Sequence, residues 1–506
     1  MMKKLTHIFR HKINKRFIRS GLVLFTLFAV TSCDKFLDEV PDNRVALDDL
    51  DKASQLLTNA YSIAAYQFTD WMTDNVSYTR GVTLRTIHNQ AYMWEDMLDD
   101  PNEADTPILF WNETYNAIAH ANEVLAVLDE LPAETEEDIN KKRAVESEAL
   151  LTRAYGHFML VNLFARHYDP ETAANDPGVP YVETPETVFI KQYSRNTVQE
   201  VYDKVEADML RGIELLDDSF FQNSGKYHFN RNAALAFASR YYLFKGDFRE
   251  CIEYCDEMLG DNPSIFIRDL NSDEFQSAAS SIEGYPQLYS SPDLPSNLLL
   301  MRKISLYQRT DFAHGPTREL YNDLFDFHPF QFASDSRENP AYVKGQDGLF
   351  PARYQSLFER SSLNSNVGLP YNISIPFRGE EVILNRAEAN VYRNRVNSAI
   401  ADLQLLTDKR FDGEDIQLSI GLLRNFYQAN FNVSDQAVVL EYIILERQKE
   451  FLVQGMRWFD IKRYNMEVDH ILLDGSIITL EDEDLRKVLQ IPITAQEVGG
   501  LEPNPR

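Results

Sequence analysis

The chain has 506 residues, of which 78 are acidic and 50 are basic, so its formal charge at neutral pH is −28. This length allows one large domain or two to three ordinary ones. The acidic balance argues against nucleic acid as a partner and against a body that lies flat on anionic lipid, because both attract basic patches.

The first 32 residues have the form of a bacterial lipoprotein signal peptide. Seven basic residues and no acidic one precede an apolar run at 22–30. That run is too short for a membrane-spanning helix, which needs about 20 apolar residues, but it fits a secretory signal. Thr31 and Ser32 then precede Cys33, an ending that resembles a lipobox. We therefore predict cleavage after residue 32 and lipidation of Cys33, palmitate included. An ordinary secreted protein is the alternative.

The mature chain, residues 33–506, is predicted to be a single, mostly α domain. Residues 33–45 form a polar tether. Residues 46–262 form a helical framework that is interrupted by an irregular, aromatic part at 67–107. Thr197 and Glu200 have the spacing of a capping box, which predicts the start of a helix there.

Two helix pairs, at 233–259 and 381–406, have the spacing of tetratricopeptide units, with Gly246 and Asn394 at their turns. Such pairs cannot bury their apolar faces alone, so we expect them to stack. Cys251 and Cys255 fall at packing positions of the first pair. Because no second ligand pair at a zinc spacing follows them, we interpret both cysteines as small core residues.

Residues 263–377 carry many turn-forming residues and are predicted to be a loop-rich variable insertion. Loops this long in a compact body are usually functional or disordered, and the tyrosines of this stretch favour function. Residues 378–506 return to a helical pattern. Side chains of both charges lie close together there and predict a structural ion network rather than a catalytic site: Glu446, Arg447, Glu450, Arg457, Asp460 and Arg463.

The sequence contains no metalloprotease, nucleophile-elbow or phosphate-loop motif, so we predict no catalytic residues, no cofactor and no metal. The acidic stretch at 99–105 has hard oxygen ligands that suit Ca²⁺, but a solvated loop is the favoured interpretation. In so acidic a chain, the presence of paired carboxylates gives no information about glycoside hydrolysis.

Aromatic faces and a few fixed polar groups are sufficient to bind a neutral sugar or peptide. Two regions offer them, at 66–94 and 285–312. Core packing is the competing interpretation for the aromatic candidates, and a surface ion pair is the competing one for Arg80. The predicted ligand-binding residues are Trp71, Asn75, Tyr78, Arg80, Tyr92, Trp94, Tyr285 and Tyr289.

Five stretches together resemble the SusD/RagB family of outer-membrane lipoproteins from Bacteroidetes. They begin at Cys33, Trp111, Ala149, Glu446 and Ile491, and they extend over nearly the whole mature chain. Gln454 departs from the family pattern, which usually has Glu before the following glycine.

The resemblance implies a SusD-like fold in which tetratricopeptide-like helix pairs support a loop-rich half that binds nutrient. It also implies a partner, a SusC/RagA-like TonB-dependent outer-membrane barrel. The first hypothesis is a non-catalytic lipoprotein of the cell surface that captures oligosaccharide for this transporter. The same architecture with a peptide ligand is the runner-up, and a surface-tethered degradative enzyme is a distant third.

Overall fold

The fold is known from a computed structural model that describes residues 47–97, 100–188, 191–221, 224–309, 311–413 and 416–506. The predicted signal peptide, Cys33 and the tether at 33–45 lie outside the described residues. The α-helices of the described part are α1 (Leu50–Leu57), α2 (Thr86–Tyr92), α3 (Pro107–Val127), α4 (Glu136–Phe164), α5 (Val198–Leu215), α6 (Arg231–Lys245), α7 (Phe248–Leu259), α8 (Asp273–Ala278), α9 (Gly284–Tyr289), α10 (Arg318–Asp326), α11 (Gly379–Tyr392), α12 (Val396–Thr407), α13 (Ile420–Phe426), α14 (Asp435–Glu450), α15 (Arg457–Arg463) and α16 (Ile493–Glu497).

The strands are short and form small antiparallel sheets around the helices. They pair in the orders β1–β3, β2–β8–β7, β4–β9, β5–β6 and β10–β11. Their bounds are β1 (Ser77–Tyr78), β2 (Asn297–Ile304), β3 (His314–Gly315), β4 (Ser334–Asp335), β5 (Ala341–Lys344), β6 (Gly348–Pro351), β7 (Leu357–Arg360), β8 (Gly368–Arg378), β9 (Phe411–Asp412), β10 (Val468–Ile471) and β11 (Ile477–Leu480). The prediction of a mostly helical fold is confirmed.

The predicted capping box and both helix pairs are present. Thr197 accepts a hydrogen bond from the backbone N–H of Glu200, and the Glu200 carboxylate accepts one from the backbone N–H of Thr197. The turn between α6 and α7 contains Gly246 at φ +80°, and the turn between α11 and α12 contains Asn394 at φ +58°. Both positions need the left-handed conformation that Gly and Asn adopt most readily.

The two helix pairs stack directly on each other. Helix α7 packs against α11, and the buried thiols of Cys251 and Cys255 lie 3.7 and 3.5 Å from the backbone carbonyls of Asn385 and Val382. The Asn385 amide also donates a hydrogen bond to Ser239 of α6. The interpretation of both cysteines as core residues is confirmed, because they fill the seam between the pairs.

The insertion at 263–377 is more regular than predicted. It contains α8, α9 and α10, and most of a three-stranded sheet with β8 at the centre. In β2, the residues Leu298–Met301 are buried on both faces of the strand. They are therefore all apolar and do not show the alternation of apolar and polar residues that identifies a half-exposed strand. Strand β8 also continues past the predicted boundary at residue 377 and ends next to α11.

Buried ion pairs attach the insertion to the helices. Arg268 pairs with Glu380 of α11 at 2.7 Å, and Arg337 pairs with Glu446 of α14 at 2.9 Å. Arg410, which follows α12, lies 2.9 Å from Glu450. Residues 49–506 accordingly form one compact unit. The predicted structural ion network is therefore confirmed and is larger than the sequence indicated.

Among the helices of the described ranges, none is long and apolar enough to cross a bilayer.

Candidate functional site

The fold brings the first predicted binding region against the end of the second. Strand β1 pairs with β3, with Tyr78 opposite His314. The hydroxyl of Tyr307 donates a hydrogen bond to Oδ2 of Asp70 at 3.4 Å, and the backbone N–H of Leu306 donates one to Asp105. The parts near residues 66–94 and 305–315 therefore share one core, although they are more than 200 residues apart in the chain.

Trp71 lies inside that core and not on its surface. Its side chain is 1% exposed, and its ring packs within 3.9 Å of His88 and within 5.5 Å of Tyr307, measured between ring centroids. A buried ring cannot offer its face to a ligand. The prediction that Trp71 is a binding platform is wrong for this structure, because the fold needs its large apolar surface for packing.

Asn75, Tyr92 and Trp94 are also buried. The Tyr92 hydroxyl donates a hydrogen bond to the backbone carbonyl of Ile471, and the Trp94 indole donates one to Met72. Both rings stack on His470. The Asn75 side-chain oxygen accepts a hydrogen bond from Gln448 at 2.9 Å. These three side chains hold the irregular segment against the C-terminal part and are removed from the predicted binding set.

Tyr285 and Tyr289 belong to a different buried cluster, around Phe275. This cluster is separate from the β1–β3 pair that contains Tyr78. The Tyr289 hydroxyl accepts hydrogen bonds from Arg353 and Arg378. Burial alone would raise the pKa of Tyr289, but the surrounding guanidinium groups outweigh it and lower the pKa. Tyr289 is therefore part of the ion network, and both tyrosines are core residues.

Tyr78 and Arg80 do reach the surface. The Tyr78 hydroxyl donates a hydrogen bond to the side-chain oxygen of Asn89 at 3.1 Å. The exposed Arg80 guanidinium lies 2.6 Å from Asp347, in the turn between β5 and β6. This pair confirms the competing interpretation of Arg80 as a member of a surface ion pair. Arg80 lies two residues after the partly exposed Tyr78 in the chain.

The hairpin of β10 and β11 completes this surface and was missed by the sequence interpretation. Strand β10 contacts β1, and the charge of Asp474 at the hairpin turn contributes to raising the pKa of Tyr78, after burial as the main cause. The signal was present: Asp474-Gly475 between apolar runs is a strong hairpin indicator. We call the surface of Tyr78, Arg80, Asn89, Ile471 and Asp474 the Tyr78 face.

The Tyr78 face has the chemistry of a binding surface. Its aromatic ring, amide and guanidinium edge suit the apolar faces and hydroxyl groups of a sugar. Hydrogen bonds from Ser476 lower the pKa of Asp474. Burial raises the pKa of Asp347, but hydrogen bonds from Arg80 outweigh this effect and lower it. Glycoside hydrolysis needs a carboxylic acid whose pKa is raised, and neither carboxylate meets that need.

Within the described ranges, no group of three or more His, Cys, Asp or Glu side chains is arranged to hold a metal ion. Asp99, in the acidic stretch at 99–105, lies outside those ranges.

Two family models match the chain. The SusD-like model described as "Starch-binding associating with outer membrane" matches residues 35–243, and the SusD family model matches residues 364–498. Two proteins of Formosa agariphila are similar over most of their length. SusD-like protein P38 is 21% identical and the match covers 88% of this chain and 91% of that protein; SusD-like protein P2 is 23% identical and covers 71% of each.

Solved structures share the fold. A SusD superfamily protein from Bacteroides thetaiotaomicron is 21% identical, with a TM-score of 0.64 over 90% of this chain and 100% of that one. A SusD-like carbohydrate binding protein from Bacteroides vulgatus is 17% identical, with a TM-score of 0.63 over 90% and 97%. A laminarin binding SusD-like protein is 17% identical, with a TM-score of 0.59 over 90% and 99%.

Proposed function

The chain belongs to the SusD family, and from that premise we propose that it captures oligosaccharide at the cell surface through the Tyr78 face and passes it to a TonB-dependent outer-membrane transporter. The protein holds the glycan without catalysing a reaction. Carbohydrate is the ligand class named for two structural neighbours, one of which binds laminarin.

The observation that carries the proposal is the composition of the Tyr78 face. A partly exposed tyrosine ring has an amide 3.1 Å from its hydroxyl, and an exposed arginine follows that tyrosine by two residues. Each aromatic contact contributes roughly 0.5–1.5 kcal/mol beyond the area it buries, so this surface binds weakly by itself. A weak site suits capture followed by release to a neighbouring transporter, which raises the effective concentration of ligand.

The proposed attachment and partner follow from the N-terminus and the family. Lipidation of Cys33 anchors the protein in the outer membrane, since two or three acyl chains bind a bilayer essentially permanently. The partner is a SusC/RagA-like TonB-dependent barrel. Copurification from detergent-solubilised outer membranes tests this part of the proposal: an affinity-tagged chain is expected to bring down one large barrel protein.

Calorimetric titration against a panel of neutral glycans and peptides tests the ligand class. We expect binding to at least one glycan and a loss of affinity of roughly 3- to 10-fold in Tyr78→Ala. Tyr227→Ala is the matched control, because Tyr227 is also an exposed tyrosine but lies outside the Tyr78 face. If the protein bound only peptides, the proposed nutrient would be a peptide and not an oligosaccharide. New reducing ends in an incubated glycan would contradict the non-catalytic role.

A further inference from the structure

A second aromatic surface lies between two loops that the Tyr78 face does not use. The loop after α10 and the loop after α13 meet where the Phe327 ring packs 4.5 Å from Phe426 and 6.2 Å from Tyr427, measured between ring centroids. Two further rings of the same loops, Phe332 and Phe431, are almost entirely exposed. We call these five side chains the aromatic patch.

These exposed rings stabilise nothing in the chain itself. Phe431 is 90% exposed and Phe332 is fully exposed, so neither contributes much buried apolar area. Phe332 also has φ +59°, a left-handed conformation that is rare and strained for a bulky side chain. Strained backbone that presents an unpacked side chain is typical of binding sites.

The patch is uncharged in a highly charged protein. A quarter of the chain is Asp, Glu, Lys or Arg, yet the segments 327–334 and 425–434 contain none of them. The nearest cations are engaged elsewhere. Lys449 donates a hydrogen bond to the backbone carbonyl of Phe327, and Arg424 pairs with Asp435 and donates to backbone carbonyls. An anionic ligand would therefore find neither of these two cations free to pair with it.

The two segments are instead rich in amide side chains. Each amide both donates and accepts hydrogen bonds, as sugar hydroxyl groups require. The hydroxyl of Tyr427, buried at the base of the patch, has no hydrogen-bond partner in the structure. The amides of the two loops are Gln331, Asn425, Gln428, Asn430 and Asn432.

We propose that the aromatic patch is a second glycan-binding surface, which takes a neutral polysaccharide chain and acts independently of the Tyr78 face. An anionic membrane is a poor fit, since membrane-binding surfaces use Lys and Arg next to their apolar side chains. The inference rests on the proposed function in one respect, because it assumes that the nutrient is a glycan. The residues of the aromatic patch differ from those of the Tyr78 face and lie on other loops.

The test compares Phe332→Ala, Phe431→Ala, their double variant and Tyr78→Ala in the full chain. Soluble starch, laminarin and xylan are the probes, with affinity gel electrophoresis and calorimetry as the measurements. Leu363→Ala is the matched control, because Leu363 is a 94% exposed apolar side chain outside the patch. Removal of exposed rings leaves the core intact, so an unchanged thermal midpoint serves to verify folding.

Each patch variant is expected to weaken binding of the recognised polysaccharide by about three- to tenfold, and its effect is expected to multiply with that of Tyr78→Ala. Wild-type affinity in the double patch variant, with weakened binding in Tyr78→Ala, would overturn the second surface while the proposed function stands. No binding of any glycan by the wild type would contradict the proposed function itself, and the patch proposal with it. Loss of a bound peptide in the double variant would identify a protein partner and also overturn the glycan assignment.

Discussion

Arg457 and Asp74 form a bidentate ion pair: Nε and Nη2 of Arg457 lie 2.9 and 2.6 Å from the two carboxylate oxygens of Asp74. Arg457 is the first residue of α15, in one of the stretches that resemble the SusD family. Asp74 belongs to the irregular segment that leads into the Tyr78 face. This pair therefore connects a framework helix with the segment that carries the Tyr78 face.

Breaking the pair should destabilise the protein. Asp74→Ala leaves a guanidinium that is only 4% exposed without its partner. We expect the free energy of unfolding to fall by about 2–3 kcal/mol, less than for a fully buried pair because Asp74 itself is a third exposed. Urea denaturation measures this fall in the free energy of unfolding. Arg80→Ala, which breaks an exposed pair, is the control and should cost less than about 1 kcal/mol. Equal losses would contradict the structural role assigned to Arg457.

Trp71 and Tyr78 should respond differently to truncation. Trp71→Ala removes a large buried ring and should lower the free energy of unfolding by about 3–5 kcal/mol. Tyr78→Ala should change stability much less and should weaken glycan binding instead. Parallel denaturation and titration experiments distinguish the two. A stable Trp71→Ala protein with specifically reduced affinity would restore Trp71 to the binding site.

Buried histidines should make the fold sensitive to acid. Burial lowers the pKa of His314 from 6.5 to about 3, and neither ring nitrogen has a hydrogen-bond partner among the described residues. The unfolded chain takes up a proton below its ordinary pKa while the folded chain does not, so stability falls as the pH drops from about 6.5 toward 3.

His314→Leu should reduce this dependence. Between about pH 7.5 and 5, the wild type should lose about 2 kcal/mol more stability than the variant. Urea denaturation at the two pH values provides the comparison, and the difference between the proteins cancels contributions from all other titrating groups. Parallel pH profiles would show that His314 takes up its proton in the folded state.

Cys33→Ala tests the proposed anchor. Without a lipidated cysteine, we expect the protein to leave the membrane fraction, with its glycan affinity unchanged, because the body at 49–506 folds as one compact unit. Fractionation followed by immunoblotting measures the release, and titration of the purified protein measures the affinity. Growth on the recognised glycan, which should be impaired, measures uptake. Membrane retention with normal uptake would indicate that a protein partner, and not lipid, holds the chain in place.

The helical framework could be predicted from the sequence because its signals are local. The capping box at Thr197, the turns at Gly246 and Asn394 and the core positions of Cys251 and Cys255 depend on residues within one or two helical turns. Periodicity and turn chemistry operate over that range, and all of these predictions are confirmed.

Only the tertiary structure decided which aromatic side chains are accessible. Trp71 and Tyr78 lie seven residues apart in the same irregular segment, yet Trp71 packs against Tyr307, far along the chain, while Tyr78 remains at the surface beside the β10–β11 hairpin. Burial of such rings depends on contacts between segments hundreds of residues apart, and no local pattern encodes them. The sequence therefore determined the helical framework and the acidic charge, whereas long-range packing determined which aromatic side chains reach the surface.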